Sequence, residues 1–306
     1  MSKKTPVLFL IFNRPEPTAK VFEAIRQYRP THLYIAADGP RKNKKGEAEL
    51  CKKTREIALE VDWECEVNTL LREDNLGCKW AVSSGINWFF ENVEAGIVLE
   101  DDCVPTLGFF DFCTELLERY KDDEQVMHIA GCNHHPEYTR HAPRSYYFSY
   151  YGHMWGWASW RRAWERYDIE MKDFEKIVEE KYLENLMGKF QGKYLIRKLK
   201  EVYYDGMDTW DYQWDYSKAL HKGLTIIPRN NLVENIGFGE DATHTFSSKN
   251  QFSEVGVKEL EFPLQHPDKV ERDSSADLFH FRKLILWIIK RKLFAALKIN
   301  GYDSRG

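Results

Sequence analysis

The chain has 306 residues, and its 43% hydrophobic and 30% charged residues favour a folded protein over a disordered one. Its 44 basic and 48 acidic side chains give a net charge of −4, which argues against a globally basic nucleic-acid binder, so we expect no nucleic-acid partner. Because the sequence has no run of about 18 apolar residues, we also expect no helix that spans a membrane.

The first third of the sequence alternates short apolar runs with helical patterns. Strands are predicted at residues 7–12, 32–37, 64–71 and 96–99, and helices at residues 17–27, 45–61 and 77–90. Repeated β-α-β units of this kind predict an α/β fold with a Rossmann-like, mainly parallel sheet that is flanked by helices.

The middle of the sequence is richer in charged helical patterns. Further strands are predicted at residues 126–130, 146–151 and 224–227, helices at 161–167, 174–204 and 210–221, and a loop at 230–248. Since no Gly/Ser-rich or Pro-rich linker divides the chain, we expect one domain over residues 1–265. Its predicted parts are a nucleotide-binding half at 1–132 and a helical acceptor-side half at 133–265, followed by a basic tail at 266–306.

Polar residues follow each of the first four predicted strands. In an open parallel sheet, ligands bind outside the carboxyl ends of the strands, so these loops are predicted to line one crevice. The sequence has neither G-x-G-x-x-G after the first strand nor the P-loop pattern, which argues against the dehydrogenase and P-loop classes. The acidic triplet after the fourth strand predicts instead that carboxylates hold a hard divalent ion, which in turn holds a diphosphate. The triplet is Glu100, Asp101 and Asp102.

The stretch at residues 97–112, which contains the triplet, resembles the metal-binding region of GT-A fold glycosyltransferases. It is most similar to N-acetylglucosaminyltransferase I and to bacterial nucleotide-diphospho-sugar transferases. Further similar pieces occur in family order at residues 12–15, 37–40, 75–77, 155–157, 209–214 and 235–239. The resemblance implies a GT-A fold, a nucleotide-diphosphate sugar donor with UDP-sugars favoured, and a divalent metal, Mn²⁺ or Mg²⁺.

Roles for individual residues also follow from the resemblance. Asp102 is implied as the metal ligand, and His244 as a second ligand of the metal or of the diphosphate, with a plain surface position as the alternative for His244. The glycine-interrupted aromatic stretch at 152–157 is interpreted as the floor of the donor-sugar or acceptor site, with plain packing as the alternative. The predicted donor-binding residues are Asn13, Arg14, Asp38, Arg41, Arg72, Asn75, Glu100, Asp101, Trp155, Gly156 and Trp157.

A sugar transfer that inverts configuration needs a base that deprotonates the acceptor hydroxyl and is separate from the metal-binding acids. Asp211 and Asp215 are four residues apart and would share one face of a helix. The resemblance favours Asp211 as the catalytic base, and Asp215 is the alternative. Trp210 and Trp214 are interpreted either as a wall under a sugar ring or as a pair that packs in the core.

The tail carries six basic residues and no acid between residues 279 and 299, around the apolar run 284–289. A basic helix that contains a tryptophan is typical of binding to an anionic membrane surface. The alternative is a helix that packs on its own domain or on a second subunit. Six cysteines with neither C-x-x-C nor zinc-finger spacing predict free thiols in a reducing compartment. We therefore expect a cytoplasmic protein that is peripheral at the inner face of the plasma membrane.

Together these features predict a metal-dependent, inverting glycosyltransferase. It would move a sugar to a growing glycan acceptor, including a lipid-linked one, in bacterial surface polysaccharide synthesis. The first alternative is a nucleotidyltransferase that forms sugar nucleotides, but that class expects a glycine-rich basic loop after the first strand, which residues 12–15 lack. The second alternative is a non-catalytic glycan- or membrane-binding protein with a decayed site, and the intact triplet argues against it.

Overall fold

A mixed sheet forms the centre of the protein. The structure is a computed structural model that describes residues 4–139, 142–237 and 255–299. The strands within these ranges are β1 (Val7–Ile11), β2 (His32–Ala37), β3 (Glu66–Leu71), β4 (Ala95–Glu100), β5 (Cys103–Pro105), β6 (Val126–Ala130), β7 (Tyr146–Ser149), β8 (Trp157–Trp160), β9 (Leu224–Pro228) and β10 (Val233–Asn235). Strands β5 and β10 pair with each other, and the others form one sheet in the order β3-β2-β1-β4-β8-β6-β9-β7.

Most strands of the central sheet run in the same direction. Strand β8 is antiparallel to β4 and β6, and β7 is antiparallel to β9. The remaining neighbours, including the run β3-β2-β1-β4, are parallel. The predicted α/β fold with a mainly parallel sheet is therefore confirmed.

Helices cover both faces of the sheet. They are α1 (Pro15–Tyr28), α2 (Glu47–Ala58), α3 (Gly77–Asn92), α4 (Leu107–Arg119), α5 (Pro136–Thr139), α6 (Arg161–Trp164), α7 (Phe174–Glu179), α8 (Tyr182–Met187), α9 (Lys189–Tyr203), α10 (Asp211–Leu220) and α11 (Ser274–Ile299). Side chains alternate along β1, so Phe9 packs with α1 and α4 on one face while Leu8 packs with α3 and α10 on the other. Helices α7 to α10 share a further apolar cluster.

The predicted helix at 174–204 is divided into three. Lys181 between α7 and α8 has φ 52°, and Gly188 between α8 and α9 has φ 100°. A right-handed helix cannot continue through a residue with positive φ, so the chain turns at both points. Gly188 adopts this conformation without the steric cost that a Cβ would bring.

Helix α4 and strand β8 lie near the acidic triplet and were not predicted from the sequence, and neither were the short strands β5 and β10. Helix α4 begins seven residues after Glu100 and buries Phe109, Phe110 and Phe112 completely. Strand β8 is only four residues long, and all four are buried because it lies inside the sheet between β4 and β6. Both elements help to fix the edge of the sheet at which β4 ends.

The segment after residue 265 is joined to the sheet through the first turn of α11. The buried Asp277 pairs with Arg272, accepts a hydrogen bond from the hydroxyl of Ser149 and is 3.3 Å from the backbone nitrogen of Tyr150. This part of the tail packs on its own domain, as the alternative interpretation expected. Of the helices that the structure describes, none has the length and apolar character needed to cross a membrane.

Candidate functional site

The polar loops that follow β1, β2, β3 and β4 lie at one edge of the sheet. Ile11 is opposite Ala37, and Ala37 is opposite Leu71, so the first three strands end level with one another. On the other side of β1, Leu10 is opposite Glu100, the last residue of β4. The sheet thus brings together the four loops that the sequence analysis assigned to one crevice.

Arg14 connects the loop after β1 to the acidic triplet. Its guanidinium donates to both carboxylate oxygens of Asp101 and, through Nη1, to Oδ2 of Asp102 at 3.0 Å. A guanidinium that contacts two neighbouring carboxylates partly neutralises them and fixes their orientation. Burial works to lower the pKa of Arg14, but the two carboxylates more than offset it and keep the side chain charged.

The triplet is an electrostatically strained group of acids. Burial, together with Asp102 and Asp101, raises the pKa of Glu100 to about 8. Burial also raises the pKa of Asp101 to about 6, although the adjacent Arg14 works in the opposite direction. Neighbouring carboxylates repel one another when they are all ionised, which disfavours their simultaneous ionisation. A cation that binds between them would relieve this repulsion, so the arrangement fits a divalent ion.

The pair of strands β5 and β10 brings a second backbone segment beside Asp102. The nitrogen of Ile236 donates to the Asp102 carbonyl at 2.8 Å, and the next residue is Gly237. A Cβ at Gly237 would collide with the carboxylate of Asp102, so glycine is required for this close approach. Asp102 is therefore enclosed by backbone on one side and by Arg14 on the other.

Asp38 is buried and is used mainly to hold two loops together. Its carboxylate accepts hydrogen bonds from the backbone nitrogens of Leu76 and Gly77 and from Nδ2 of Asn75, at 2.8 to 3.2 Å. Burial raises the pKa of Asp38, and these backbone hydrogen bonds work against the increase. The predicted donor-binding residues Asp38 and Asn75 are thus in contact with each other at the N-terminus of α3. Arg72 donates to Ser84 of the same helix at 2.8 Å.

Arg41 and Asn13 meet at a residue that sequence reasoning missed. Glu47, at the start of α2, is buried and pairs with Arg41. It also accepts from the backbone nitrogen of Arg41 at 2.7 Å and from Nδ2 of Asn13 at 2.9 Å. A glutamate in the first turn of a charged helix gives no sequence signal for such a role. The tertiary contact between the loops after β1 and β2 reveals it.

Asp211 lies close to the triplet, at the start of α10. Its carboxylate accepts a hydrogen bond from the hydroxyl of Thr209 and another from the backbone nitrogen of Tyr212, at 2.9 Å. Asp211 is also the smallest of the named causes of the raised pKa of Glu100, so its carboxylate is within electrostatic range of the acidic triplet.

Asp215, the alternative base, has a different environment. Its Oδ1 lies 3.0 Å from Nζ of Lys218, whose side chain is almost fully buried and also donates to Thr225 at 2.8 Å. Burial raises the pKa of Asp215, and Lys218 opposes this increase. Asp215 therefore forms an ion pair, whereas Asp211 forms none among the described contacts.

Asp208, which the sequence analysis did not single out, closes the N-terminus of α3. Its carboxylate accepts from the backbone nitrogens of Cys78 and Lys79 at 3.0 and 2.8 Å. With Asp38 bound to the preceding two nitrogens, carboxylates of the protein itself occupy the end of this helix. The predicted parts at 1–132 and 133–265 are thus in contact there.

Most of the tryptophans that were predicted to contact a sugar pack in the core. Trp157 is fully buried, with its ring 5.1 Å from that of His128 and 5.7 Å from that of Trp210. Trp157 packs inside the domain and does not reach the crevice. Its role is therefore plain packing, which was the alternative interpretation of this stretch. The same holds for Trp210 and Trp214, which form no wall under a sugar. Trp155 is half-buried, and its ring lies edge-on to that of His134, with centroids 4.9 Å apart.

Gly156, between the two tryptophans, has φ 58°, a conformation that favours glycine. Its carbonyl accepts from the nitrogen of Gly131 at 2.7 Å, so it joins the loop before β8 to the loop after β6. The remaining predicted metal ligand, His244, lies outside the described residues.

Comparison with known proteins gives only weak likenesses. No protein-family model matches the sequence, and no curated protein matches it. Among solved structures, the chain is similar to HddC from Yersinia pseudotuberculosis, with 11% identity over 52% of this chain and 77% of that one and a TM-score of 0.31. It is also similar to a UDP-glucose pyrophosphorylase complexed with UDP-glucose, with 12% identity over 49% of this chain and 63% of that one and a TM-score of 0.27.

A third similar structure is 4-diphosphocytidyl-2C-methyl-D-erythritol synthase from Anaerococcus prevotii. Its identity is 6% over 41% of this chain and 54% of that one, and its TM-score is 0.27. Likenesses of this strength carry no argument about activity, and they leave the resemblance to GT-A glycosyltransferases unconfirmed.

Proposed function

We propose that this chain is an enzyme of nucleotide-sugar chemistry, and that it transfers a sugar from a nucleoside diphosphate sugar to a hydroxyl of a glycan acceptor. The observation that carries the proposal is the acidic group at the end of β4, held by Arg14 and close to Asp211. This arrangement supplies acids for a cation and a separate carboxylate for a proton. Both are needed for transfer with inversion.

The donor set suits a hard divalent ion, Mn²⁺ or Mg²⁺. Carboxylate oxygens are the ligands that such ions prefer, and Asp102, with Asp101 beside it, would hold the ion. When bound, the ion would neutralise the leaving diphosphate without a proton donor. Arg14 donates to the same carboxylates and would lie beside the diphosphate as a second positive group.

Asp211 is the base in this proposal, because Asp215 is engaged with a buried lysine. Asp211 would accept the proton of the acceptor hydroxyl as that oxygen forms its bond to the sugar carbon. The bond from that carbon to the diphosphate oxygen breaks on the opposite face, so configuration inverts. The acceptor class in this proposal is a surface or lipid-linked glycan.

Formation of a sugar nucleotide from a nucleoside triphosphate and a sugar phosphate is the second candidate. It is the kind of activity named for the UDP-glucose pyrophosphorylase to which the chain is weakly similar. Against it, residues 12–15 after β1 are Phe-Asn-Arg-Pro and provide no glycine-rich loop for a triphosphate.

The two candidates release different products, so one experiment separates them. The full chain is incubated with a panel of nucleotide sugars and glycan acceptors, with and without Mn²⁺, and nucleoside diphosphate is measured. We expect metal-dependent release that Asp102→Asn abolishes and that Asp111→Asn, at an exposed position of α4, leaves intact. A second reaction supplies nucleoside triphosphates and sugar phosphates and measures pyrophosphate.

Each outcome has a definite meaning. Pyrophosphate without nucleoside diphosphate would replace our proposal with the second candidate. Release of neither product would refute both enzymatic candidates, and nucleotide-sugar binding that persists in such a protein would indicate a binding function. Release that Asp102→Asn does not affect would refute the role of the acidic group.

We further propose that the distal part of α11 binds an anionic membrane surface. Leu286, Ile289 and Leu293 are exposed at spacings of three and four residues, which places them on one side of the helix. Arg282, Lys290, Arg291 and Lys292 accompany them. Exposed apolar residues beside basic ones fit the boundary between lipid headgroups and acyl chains.

A further inference from the structure

A cluster of one cysteine and two histidines lies at the same edge of the sheet as the acids. Cys132 and His134 follow β6, and His153 precedes β8. One ligand atom from each residue lies within 4.8 Å of the others. Strand β8 separates β6 from β4, so at about 5 Å per strand the cluster lies roughly 10 Å along the sheet from the acidic triplet.

We propose that Cys132, His134 and His153 form a binding site for a zinc-class transition-metal ion, separate from the Mn²⁺ or Mg²⁺ site of the acids. The inference does not rest on the proposed sugar transfer. Its basis is the geometry and the chemical type of the three ligands, which come from two different loops.

One of the ligand distances is already the one that a tetrahedral zinc ion requires. Zinc lies about 2.3 Å from sulfur and about 2.0–2.1 Å from nitrogen, so in a tetrahedron the sulfur and nitrogen ligands are about 3.6 Å apart. Sγ of Cys132 and Nε2 of His134 are 3.6 Å apart. Three protein ligands leave a fourth position for water or another oxygen or nitrogen donor, as in zinc sites that are not fully closed.

The ligand types distinguish this site from the acids. Thiolate and imidazole select zinc and similar metals, whereas carboxylates select magnesium and manganese. Burial lowers the pKa of His153 to about 3 and keeps that of His134 well below its usual value, so both rings are neutral, as ligands must be. Burial raises the pKa of Cys132 to about 12, so binding of the ion would replace the thiol proton, which passes to solvent.

Hydrogen bonds around the cluster orient His153. Its Nδ1 lies 3.1 Å from the Cys132 carbonyl, which can only accept, so Nδ1 carries the hydrogen and Nε2 keeps a lone pair for a metal. Nε1 of Trp214 donates to Nδ1 of His128 at 3.1 Å, so the other nitrogen of His128 donates to the His153 carbonyl at 3.2 Å. Buried residues of the core thus fix the orientation of the His153 ring.

One movement must accompany binding. The rings of His134 and His153 are stacked, with centroids 4.0 Å apart and planes at 18°. Lone pairs in the planes of stacked rings do not converge on one point, so the ring of His134 has to turn out of the stack. The ring of His134 also lies edge-on to that of Trp155, with centroids 4.9 Å apart, so this contact has to change with the turn. The bound ion would then join the loop after β6 to the loop before β8.

Cobalt provides a direct test, because Co²⁺ replaces zinc and gives visible bands when it is tetrahedral and a near-ultraviolet band when it is bound to thiolate. The full chain, freed of metal with a chelator, is titrated with Co²⁺ in the absence of nucleotide. We expect one equivalent to produce both bands, Zn²⁺ to remove them and Mg²⁺ to leave them unchanged. Cys132→Ser should abolish the thiolate band, and His153→Gln should weaken binding about tenfold or more.

Matched variants separate this site from other positions. Cys65→Ser, at a half-exposed cysteine, and Asp102→Asn, in the acidic triplet, should both retain the cobalt bands. If Cys132→Ser does not fold, the wild-type titration together with that of His134→Gln, at a half-buried position, still tests whether the cluster binds the ion. The proposal is overturned if the wild-type chain shows no thiolate band, if Cys132→Ser retains it, or if Asp102→Asn removes it.

Discussion

Replacing Glu100 by glutamine should make the metal-free protein less sensitive to alkaline pH. The pKa of Glu100 is raised from its usual 4.5 to about 8, chiefly by burial and then by Asp102 and Asp101. Between these two values the unfolded chain loses a proton that the folded chain keeps. The folded state binds more protons, so its free energy of unfolding falls as pH rises through this range.

The size of the effect follows from the shift. Each unit of pKa difference corresponds to about 1.4 kcal/mol, and the part of the shift that lies between pH 6 and 8.5 amounts to about 2–3 kcal/mol. Glutamine has nearly the same shape as protonated glutamate and does not ionise. The stability difference between Glu100→Gln and the wild type should therefore widen, in favour of the variant, by about 2–3 kcal/mol over this range.

Urea unfolding at pH 6 and pH 8.5, with a chelator present, measures this difference. Glu91→Gln is the control, because Glu91 is exposed on α3 and its replacement should change stability equally at both pH values. If Glu100→Gln differs from the wild type by the same amount at pH 6 and pH 8.5, the glutamate ionises normally. The electrostatic account of the acidic group would then be wrong.

Three further outcomes test the remaining assignments. Asp211→Asn should reduce turnover by about 10²-fold or more with little change in donor affinity. Asp215→Asn should chiefly lower stability, by about 3 kcal/mol, because it leaves a buried ammonium unpaired. Steady-state kinetics and urea unfolding on both variants would show the reverse pattern if Asp215 is the base. Trp214→Phe should cost about 1–3 kcal/mol, since its histidine partner loses a buried donor, and an unchanged melting temperature would contradict that account. Leu286→Ser combined with Leu293→Ser should weaken sedimentation with anionic vesicles and leave the melting temperature unchanged, and equal binding to neutral vesicles would exclude the electrostatic contribution.

The sequence predicted the edge of the sheet well because apolar runs and turn residues mark the early strands clearly. The parallel direction of four neighbouring strands then places Arg14, Asp38 and the triplet together, whatever the details of side-chain packing. The predicted helix at 17–27 and strand at 32–37 likewise correspond to α1 and β2. Local patterns are sufficient where burial has a simple period.

Prediction failed where the role of a residue depends on distant contacts. Trp157 follows a glycine and a tryptophan, a pattern equally typical of a ligand platform and of a short buried strand. Only the position of β8 inside the sheet decides between them. Glu47 and Asp208 have no motif, because their partners lie on other loops. The proximity of Cys132 to His153 similarly depends on how two loops fold back over the sheet.

The guanidinium of Arg14 would make the proposed metal binding at the acidic triplet an exchange of cations. Arg14 already pairs with Asp101 and with Oδ2 of Asp102, so an ion that bound these same oxygens would compete with the guanidinium, and its intrinsic affinity would be reduced by that cost. The displaced guanidinium needs a new anion, and a diphosphate is well suited to accept its hydrogen bonds. The metal ion and the diphosphate would then increase each other's affinity by the same factor, because coupling between two binding equilibria is reciprocal. Metal affinity measured without nucleotide would underestimate the affinity that applies during turnover.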